Sequence, residues 1–389
     1  MKKLIIVLVA IALIFGGVAF AANMNKDKPV EEAPAPETET GIVSATTTID
    51  YDAMKGKYSP DFVVLNIDGK DVTWDEYFAF FYSSAETLNQ YFDYYAMYGA
   101  DVDWSSVYDE ETGTTFAEIP AQETEKQLIS REAVLGFAAE KGIELSDESK
   151  ANVKSQIEEM EAKAEAEGGL DALLADNYMS MDMYEGLMSV SELYKQLSTD
   201  LFGKDFADVS DEDAVSYLEE KDYVHANHIL LLTMDMETYE ELPEEDAQAA
   251  KDLADKLYTE LSEIKDDAER LERFNAMKEE YDQDSGKTAN PDGYTYTPGT
   301  MVTEFESAAK ALENYQISEP VKSTYGYHII MRLPLDPDAM VSDSGNQVSA
   351  RQAFASESLN SQLNDYGDAI KIVYTDGFKA PLITDFIRK

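Results

Sequence analysis

Residues 224–232 read VHANHILLL, and residues 325–333 read YGYHIIMRL. Both stretches are short, apolar and rich in residues that suit a pleated strand. Between them they hold the three histidines of a 389-residue chain. Three helical patterns separate them. EDAQAAKDLADKLYTELSEI carries Ala250, Leu253, Leu257, Leu261 and Ile264 on one face, and LERFNAMKEEY carries Leu271, Phe274 and Tyr281. MVTEFESAAKAL groups Phe305, Ala308, Ala309 and Leu312. The order β-α-α-α-β predicts one α+β domain over residues 219–335.

Outward from this segment the pattern is mainly helical. FVVLNIDGKDVTW predicts a hairpin turning at Asp68-Gly69, and Thr73 with Glu76 reads as a capping box that opens an aromatic helix. AQETEKQLISREAVLGFAAEKG should stop at Gly142, and DESKANVKSQIEEMEAKAEAEGG reads as a solvent-washed helix. MDMYEGLMSVSELYKQLSTDLF places Tyr184, Leu187, Met188, Leu193 and Leu197 at helical spacing. The aromatic run SAETLNQYFDYYAMYGADVDW suits a core more than an exposed face. After the α+β segment come one helix, RQAFASESLNSQLNDYG, and one alternating strand, AIKIVYTD. Residues 336–389 are too few to bury a core alone. They are expected to pack on the helical part, residues 61–218, so that the α+β domain is an insertion.

The first 21 residues join a basic MKK to an apolar run and end on Ala19-Phe20-Ala21, the form of a cleaved secretory signal. The run falls just short of the roughly 20 residues needed to span a bilayer, which favours cleavage over anchoring. Residues 22–60, charged and Pro/Ala-rich at first, read as an acidic tether, with order beginning near Phe62. The folded part is expected outside the cytoplasm.

A formal net charge of −47 argues against nucleic acid and against docking on anionic lipid through a basic patch. Cysteine is absent, which removes disulfides, thiolate nucleophiles and zinc–thiolate sites. With three histidines, a transition-metal centre has few ligands to draw on. His225 and His228 lie three apart, a spacing that sends them to opposite faces of a strand and makes a poor chelate. His228 and His328 head matching apolar runs. If their strands are neighbours the two rings can meet across the sheet, which leaves a paired site and a packed core both open.

The pieces ANHILL, YDQDSG, GTMVTEFESAAKAL, ISEPV and YGYHII follow one another in the order and spacing of a parvulin-type peptidyl-prolyl isomerase, and residues Tyr223 to Leu333 resemble that family. The flanks, chiefly VVLNIDGKDVTWDEY and the helical layout, are similar to the chaperone module of exported foldases of the PrsA and SurA kind. The resemblance implies a mainly helical chaperone module with an inserted parvulin domain, a small antiparallel sheet wrapped by helices. It places the family's two histidines on His228 and His328, its acidic position on Asp284, and the hydroxyl that braces the second histidine on Ser323. Met301 and Phe305 would form the apolar socket for the proline ring, with Tyr294, Tyr296 and Tyr325 beside it. This sequence departs from the family pattern where a cup leucine is replaced by Gly293 and a second hydroxyl position holds Tyr325. On composition alone Asp284-Ser285-Gly286 would be a turn. The implied partners are unfolded or nascent exported polypeptides with X-Pro bonds. Nucleic acid is not among them, and membrane contact arises only if the N-terminal segment stays uncleaved. No cofactor is implied. A peptide-binding holdase without turnover is the alternative, and a surface or adhesion protein is a more distant one.

Overall fold

The computed structural model describes residues 48–99, 102–343 and 346–388. The signal sequence and the first part of the tether lie outside these residues. The described end of the tether is structured. Asp50 caps helix α1 (Tyr51–Lys55) by accepting the Ala53 N–H, Met54 is fully buried, and Ile49 bridges Ile387. Order therefore begins before Phe62. The cause is a short apolar anchor, Ile49 and Met54, that the charged composition around it conceals.

Strands β1 (Val63–Ile67) and β2 (Lys70–Thr73) form the expected hairpin, with Asp68 and Gly69 both at positive φ as a tight two-residue turn requires. Helix α2 (Trp74–Met97) follows. Thr73 Oγ1 accepts the Glu76 N–H as its cap, while the Glu76 carboxylate turns away to Arg131. Only half of the capping box forms. Two elements absent from the sequence reading come next, β3 (Val107–Asp109) and β4 (Thr114–Thr115). Helix α3 (Ile119–Lys141) ends on left-handed Gly142, and α4 (Asp147–Ala164) is capped by Ser146 and buries only three of its residues. Helix α5 (Leu170–Asp176) precedes α6 (Met181–Phe202), whose Tyr184, Leu187, Met188, Leu193 and Leu197 are all buried.

Helix α7 (Asp211–Glu220) leads into β5 (Val224–Leu232), α8 (Glu244–Glu263) and α9 (Asp267–Tyr281). Then come β6 (Tyr294–Tyr296), α10 (Thr303–Lys310), β7 (Val321–Lys322) and β8 (Gly326–Leu333). A hairpin of β9 (Met340–Asp343) and β10 (Asn346–Ser349) runs into α11 (Ala350–Asp368), and β11 (Ile372–Tyr374) closes the chain.

Two compact units result. One comprises the described residues up to Leu201 and those from Ser358. Its sheet has the order β11-β1-β2, with Leu65 opposite Tyr374, so the C-terminal strand pairs with the first. Its core gathers Trp74, Tyr77, Phe78, Phe81, Leu128, Leu173 and Leu187. The other unit is Phe202–Glu357, wider than the segment 219–335, because Val209, Ala214 and Leu218 pack with Val341, Ala350 and Ala353. Its four-stranded sheet has the order β6-β5-β8-β7, antiparallel throughout. β6 and β7 are so short that no alternation announces them.

The central pair has a register that fixes both faces. Ile229, Leu231, Ile329, Met331 and Leu333 face α8 and α9 and pack with Leu257, Leu261, Phe274 and Met277. The opposite face packs Val224, Ala226 and Ile330 against Tyr296, Phe305 and Ala309. Burying such side chains contributes about 1.5–3 kcal/mol each relative to exposure.

Candidate active site

His228 sits opposite Ile330 in the register, and His328 sits opposite Leu230. Residues two apart share a face of a strand, so both imidazoles rise from one face as diagonal neighbours. Their ring centroids are 5.2 Å apart at 86°, edge to face. Phe305 lies 5.2 Å from His228 and 5.7 Å from His328, closing a triangle of rings. His225 lies on the other face, at the end of the sheet, with its ring nitrogens 2.7 Å from Pro334 O and 3.2 Å from Asp292 O. It ties two loops to the sheet and has no place in the cleft.

The open edge of β5 explains how the acidic residue reaches this face. β6 pairs only with Val224–Ala226. Beyond it, side chains replace a partner strand. Asn227 Oδ1 accepts the N–H of His228, Asp282 Oδ1 that of Leu230, and Gln283 Oε1 that of Leu232. Gln283 N–H in turn donates to Leu230 O. Residues 282 and 283 are thus held on the strand edge, and the next residue, Asp284, projects towards His228. Asp284 Oδ1 accepts the Gly286 N–H at 3.0 Å, the hydrogen bond of an ordinary aspartate turn. Its Oδ2 accepts from Tyr294 Oη at 2.5 Å and lies 3.4 Å from His228 Nε2. One carboxylate therefore serves both the turn and the cleft.

Ser323 does not line the cleft. It is buried behind His328, with Oγ 2.7 Å from Nε2, and accepts the Tyr325 N–H at 3.1 Å. Met301, Phe305, Tyr294 and Tyr325 do line the cleft, a cavity of about 330 Å³ to which Leu230, Leu232, Met236, Thr300 and Val302 also contribute. Tyr296 is a correction. It is 4% exposed, packs behind Phe305 at 6.0 Å, and reaches the site only by supporting that ring. β-strand alternation sends Tyr294 and Tyr296 to one face, and Phe305 covers the second. Gly293 is not a vacated cup position either. Its φ is +107°, and a Cβ there would fall 2.7 Å from Ala226 O. The backbone approach to β5 demands glycine at this point. Leu230 and Leu232 escaped the sequence reading because strand register, not a motif, brings them to the cleft, and Met236 because it comes from the turn that follows β5.

Electrostatics separate the polar groups. The His228 imidazole beside Asp284, then the Tyr294 hydroxyl and the Gly286 N–H, hold its carboxyl well below the usual range against the opposing effect of burial. Burial, helped by the neighbouring His228, lowers His328 to about 3, so it is neutral at any physiological pH. Both ring nitrogens of His228 and Nδ1 of His328 are buried without a well-formed hydrogen bond. The wall of the cleft thus offers an anchored carboxylate, a neutral imidazole and unused ring nitrogens above an apolar floor. Among the described residues, no group of three or more His, Cys, Asp or Glu is placed to hold a metal ion. No described helix is long and apolar enough to cross a membrane.

Residues 228–333, the segment that builds this cleft, match the family model described as Rotamase, PPIC-type PPIASE domain. Relatives of a larger part of the chain carry the name foldase. Foldase protein PrsA 3 of Bacillus anthracis is 31% identical over 180 residues, 46% of this chain and 54% of that protein. Foldase protein PrsA of Oceanobacillus iheyensis is 25% identical over 233 residues, 59% of this chain and 66% of that one. The first of these matches spans about half the length of the relative. A crystal structure of PrsA from Bacillus subtilis aligns over 80% of this chain and 91% of its own at 18% identity, with a TM-score of 0.23.

Proposed function

We propose that the protein is a peptidyl-prolyl isomerase and foldase that acts on unfolded exported polypeptides outside the cytoplasm. The observation that carries this reading is the cleft itself, an apolar floor of Met301, Phe305 and Leu230 below the polar wall of His228, Asp284 and His328. Amide resonance sets a barrier of ~18–20 kcal/mol to rotation about a peptide bond. Uncatalysed X-Pro isomerisation takes roughly tens to hundreds of seconds, slow enough to limit folding. No bond breaks, so the reaction needs no nucleophile. It needs a socket that holds the proline ring while the preceding carbonyl turns, and a polar wall that fits the twisted amide better than the planar one.

In this reading Met301 and Phe305 hold the ring, and Tyr325 and Met236 form the exposed rim along which the chain enters. Asp284 is the ionised wall beside the turning carbonyl. His228 presents unpaired nitrogens to it, and His328, braced by Ser323, keeps His228 in place. The helical unit made by both ends of the chain would hold the client, and the secretory form of residues 1–21 supports export.

The test is a proline-limited refolding reaction run with the full chain and with Asp284→Ala. Wild type should accelerate it, and the variant should lose at least about tenfold of that effect while keeping its fold, as expected when a charged group that fits the twisted amide is removed. An unchanged rate in the variant removes Asp284 from the site. Absence of acceleration by wild type, with aggregation of the client still suppressed, would mean that the cleft only binds.

A further inference from the structure

Tyr294 stands where the sequence suggests a wall of the substrate pocket, yet its hydroxyl is spent elsewhere. It donates to Asp284 Oδ2 at 2.5 Å, whereas His228 Nε2, the other neighbour of that oxygen, stays at 3.4 Å. Its ring is stacked on the imidazole of His228, with centroids 5.8 Å apart and planes 19° from parallel. The space for the hydroxyl exists because residue 286 is glycine. A Cβ on Gly286 would fall 2.0 Å from Tyr294 Oη. The φ of Gly286 is not in the left-handed region, so the turn itself would accept another residue. The missing side chain is explained by the hydroxyl that fills its place.

We propose that Tyr294 is the positioning residue of the isomerase site: seated in the notch left by Gly286, it clamps the Asp284 carboxylate and thereby leaves the His228 nitrogens free for the twisting amide. This rests on the isomerase reading above and adds to it a residue pair, Tyr294 with Gly286, that acts through Asp284. The two oxygens of Asp284 are then fully assigned, Oδ1 to the Gly286 N–H and Oδ2 to the phenol. A carboxylate gripped by two donors is held at its 3.4 Å distance from His228 Nε2. The Tyr294 ring also lies nearly parallel to the imidazole, with centroids 5.8 Å apart.

Three variants of the full chain test this: Tyr294→Phe, Gly286→Ala and the double variant. The clamp predicts that Tyr294→Phe loses about tenfold in kcat with little change in KM, since the ring remains in the pocket and only the positioned donor is gone. The acid limb of the pH–rate profile should move up towards the ordinary carboxylate range. Gly286→Ala, which pushes the phenol out of its notch, should reproduce both effects. The double variant should be no worse than the poorer single one, because both remove the same contact. A rise in KM alone, an unmoved acid limb, or additive losses would overturn the proposal. A second readout does not depend on turnover. Aspartate labelled with 13C, assigned by the signal lost in Asp284→Asn, reports the carboxyl titration directly. The Asp284 signal should titrate at higher pH in Tyr294→Phe and in Gly286→Ala than in wild type, and identical titrations would sink the clamp. If the titration moves but the wild-type chain does not isomerise proline, the clamp stands and the isomerase reading fails.

Discussion

At the scale of single residues, protonation is the property that distinguishes this cleft. In an unfolded chain the imidazole of His328 binds a proton near pH 6.5; in the fold, burial foremost and His228 next lower that value to about 3. Between these two values the unfolded chain binds the proton and the folded chain does not. Stability therefore falls as the pH drops from about 6.5 towards 3, by an amount on the order of a few kcal/mol at the acid end. Asp284, lowered by its partners, adds a loss of the same sign that begins only below the ordinary carboxylate value of 3.8. Chemical unfolding of the 202–357 unit, followed by circular dichroism, should show the upper part of this slope in wild type and a shallower one in His328→Gln. An equal slope in both would place the effect elsewhere. Much of this site was readable before the structure. The His-Ile pairs, the DQDSG turn and the Met-Val-x-x-Phe helix start are local in sequence, and each forms where its own pattern puts it. What escaped was set by register and close approach: the hydroxyl of Tyr294 on Asp284, the retreat of Tyr296 into the core, and the backbone reason for Gly293.

At the scale of elements, β5 is the piece on which the cleft depends, and its far edge is completed by side chains instead of a strand. Asp282 is the centre of that edge. Its Oδ1 accepts from both Leu230 N–H at 2.9 Å and Asp284 N–H at 3.1 Å. Asp282→Ala strands both donors and should cost about 1–3 kcal/mol, the scale for buried donors left unpaired. Asp282→Asn keeps an acceptor oxygen and should cost less. Unfolding midpoints of the two variants check the order. Isomerisation should fall in step, since Asp284 is placed by the same hydrogen bond. No helix or strand period encodes such an edge, which is why the sequence could announce β5 and β8 but not the oxygens between β5 and its surroundings. The long elements were legible because each buries one periodic face. The short ones, α1, α5 and the strands β3, β4, β6 and β7, take their form from neighbours and were not.

At the scale of the whole molecule, the chain leaves its first unit near Leu201 and re-enters it near Ser358. Leu65, Asn66 and Ile67 pair with Tyr374, Val373 and Ile372, and Phe378 packs on Tyr58, Trp74 and Tyr77. Residues from 358 onward thus complete a core begun some 300 residues earlier. Deleting them should lower the stability of the first unit and leave the 202–357 unit and its cleft intact. Both tryptophans of the chain, Trp74 and Trp104, are buried in the first unit, so their fluorescence follows that unit alone. The deletion should shift the fluorescence-detected midpoint downwards while isomerisation in a peptide assay stays unchanged. Loss of both together would mean that the two units fold as one.

The side-chain completion of β5 has one more consequence. A bare strand edge is a template, and unfolded chains readily add to such edges as further strands. On the proposed foldase reading, clients that paired with such an edge would clog the protein. At residues 228–232 the main-chain donors are already occupied by Asn227, Asp282 and Gln283. A client of the proposed isomerase would find a socket for one ring and no ladder to climb, so that it could be turned and let go.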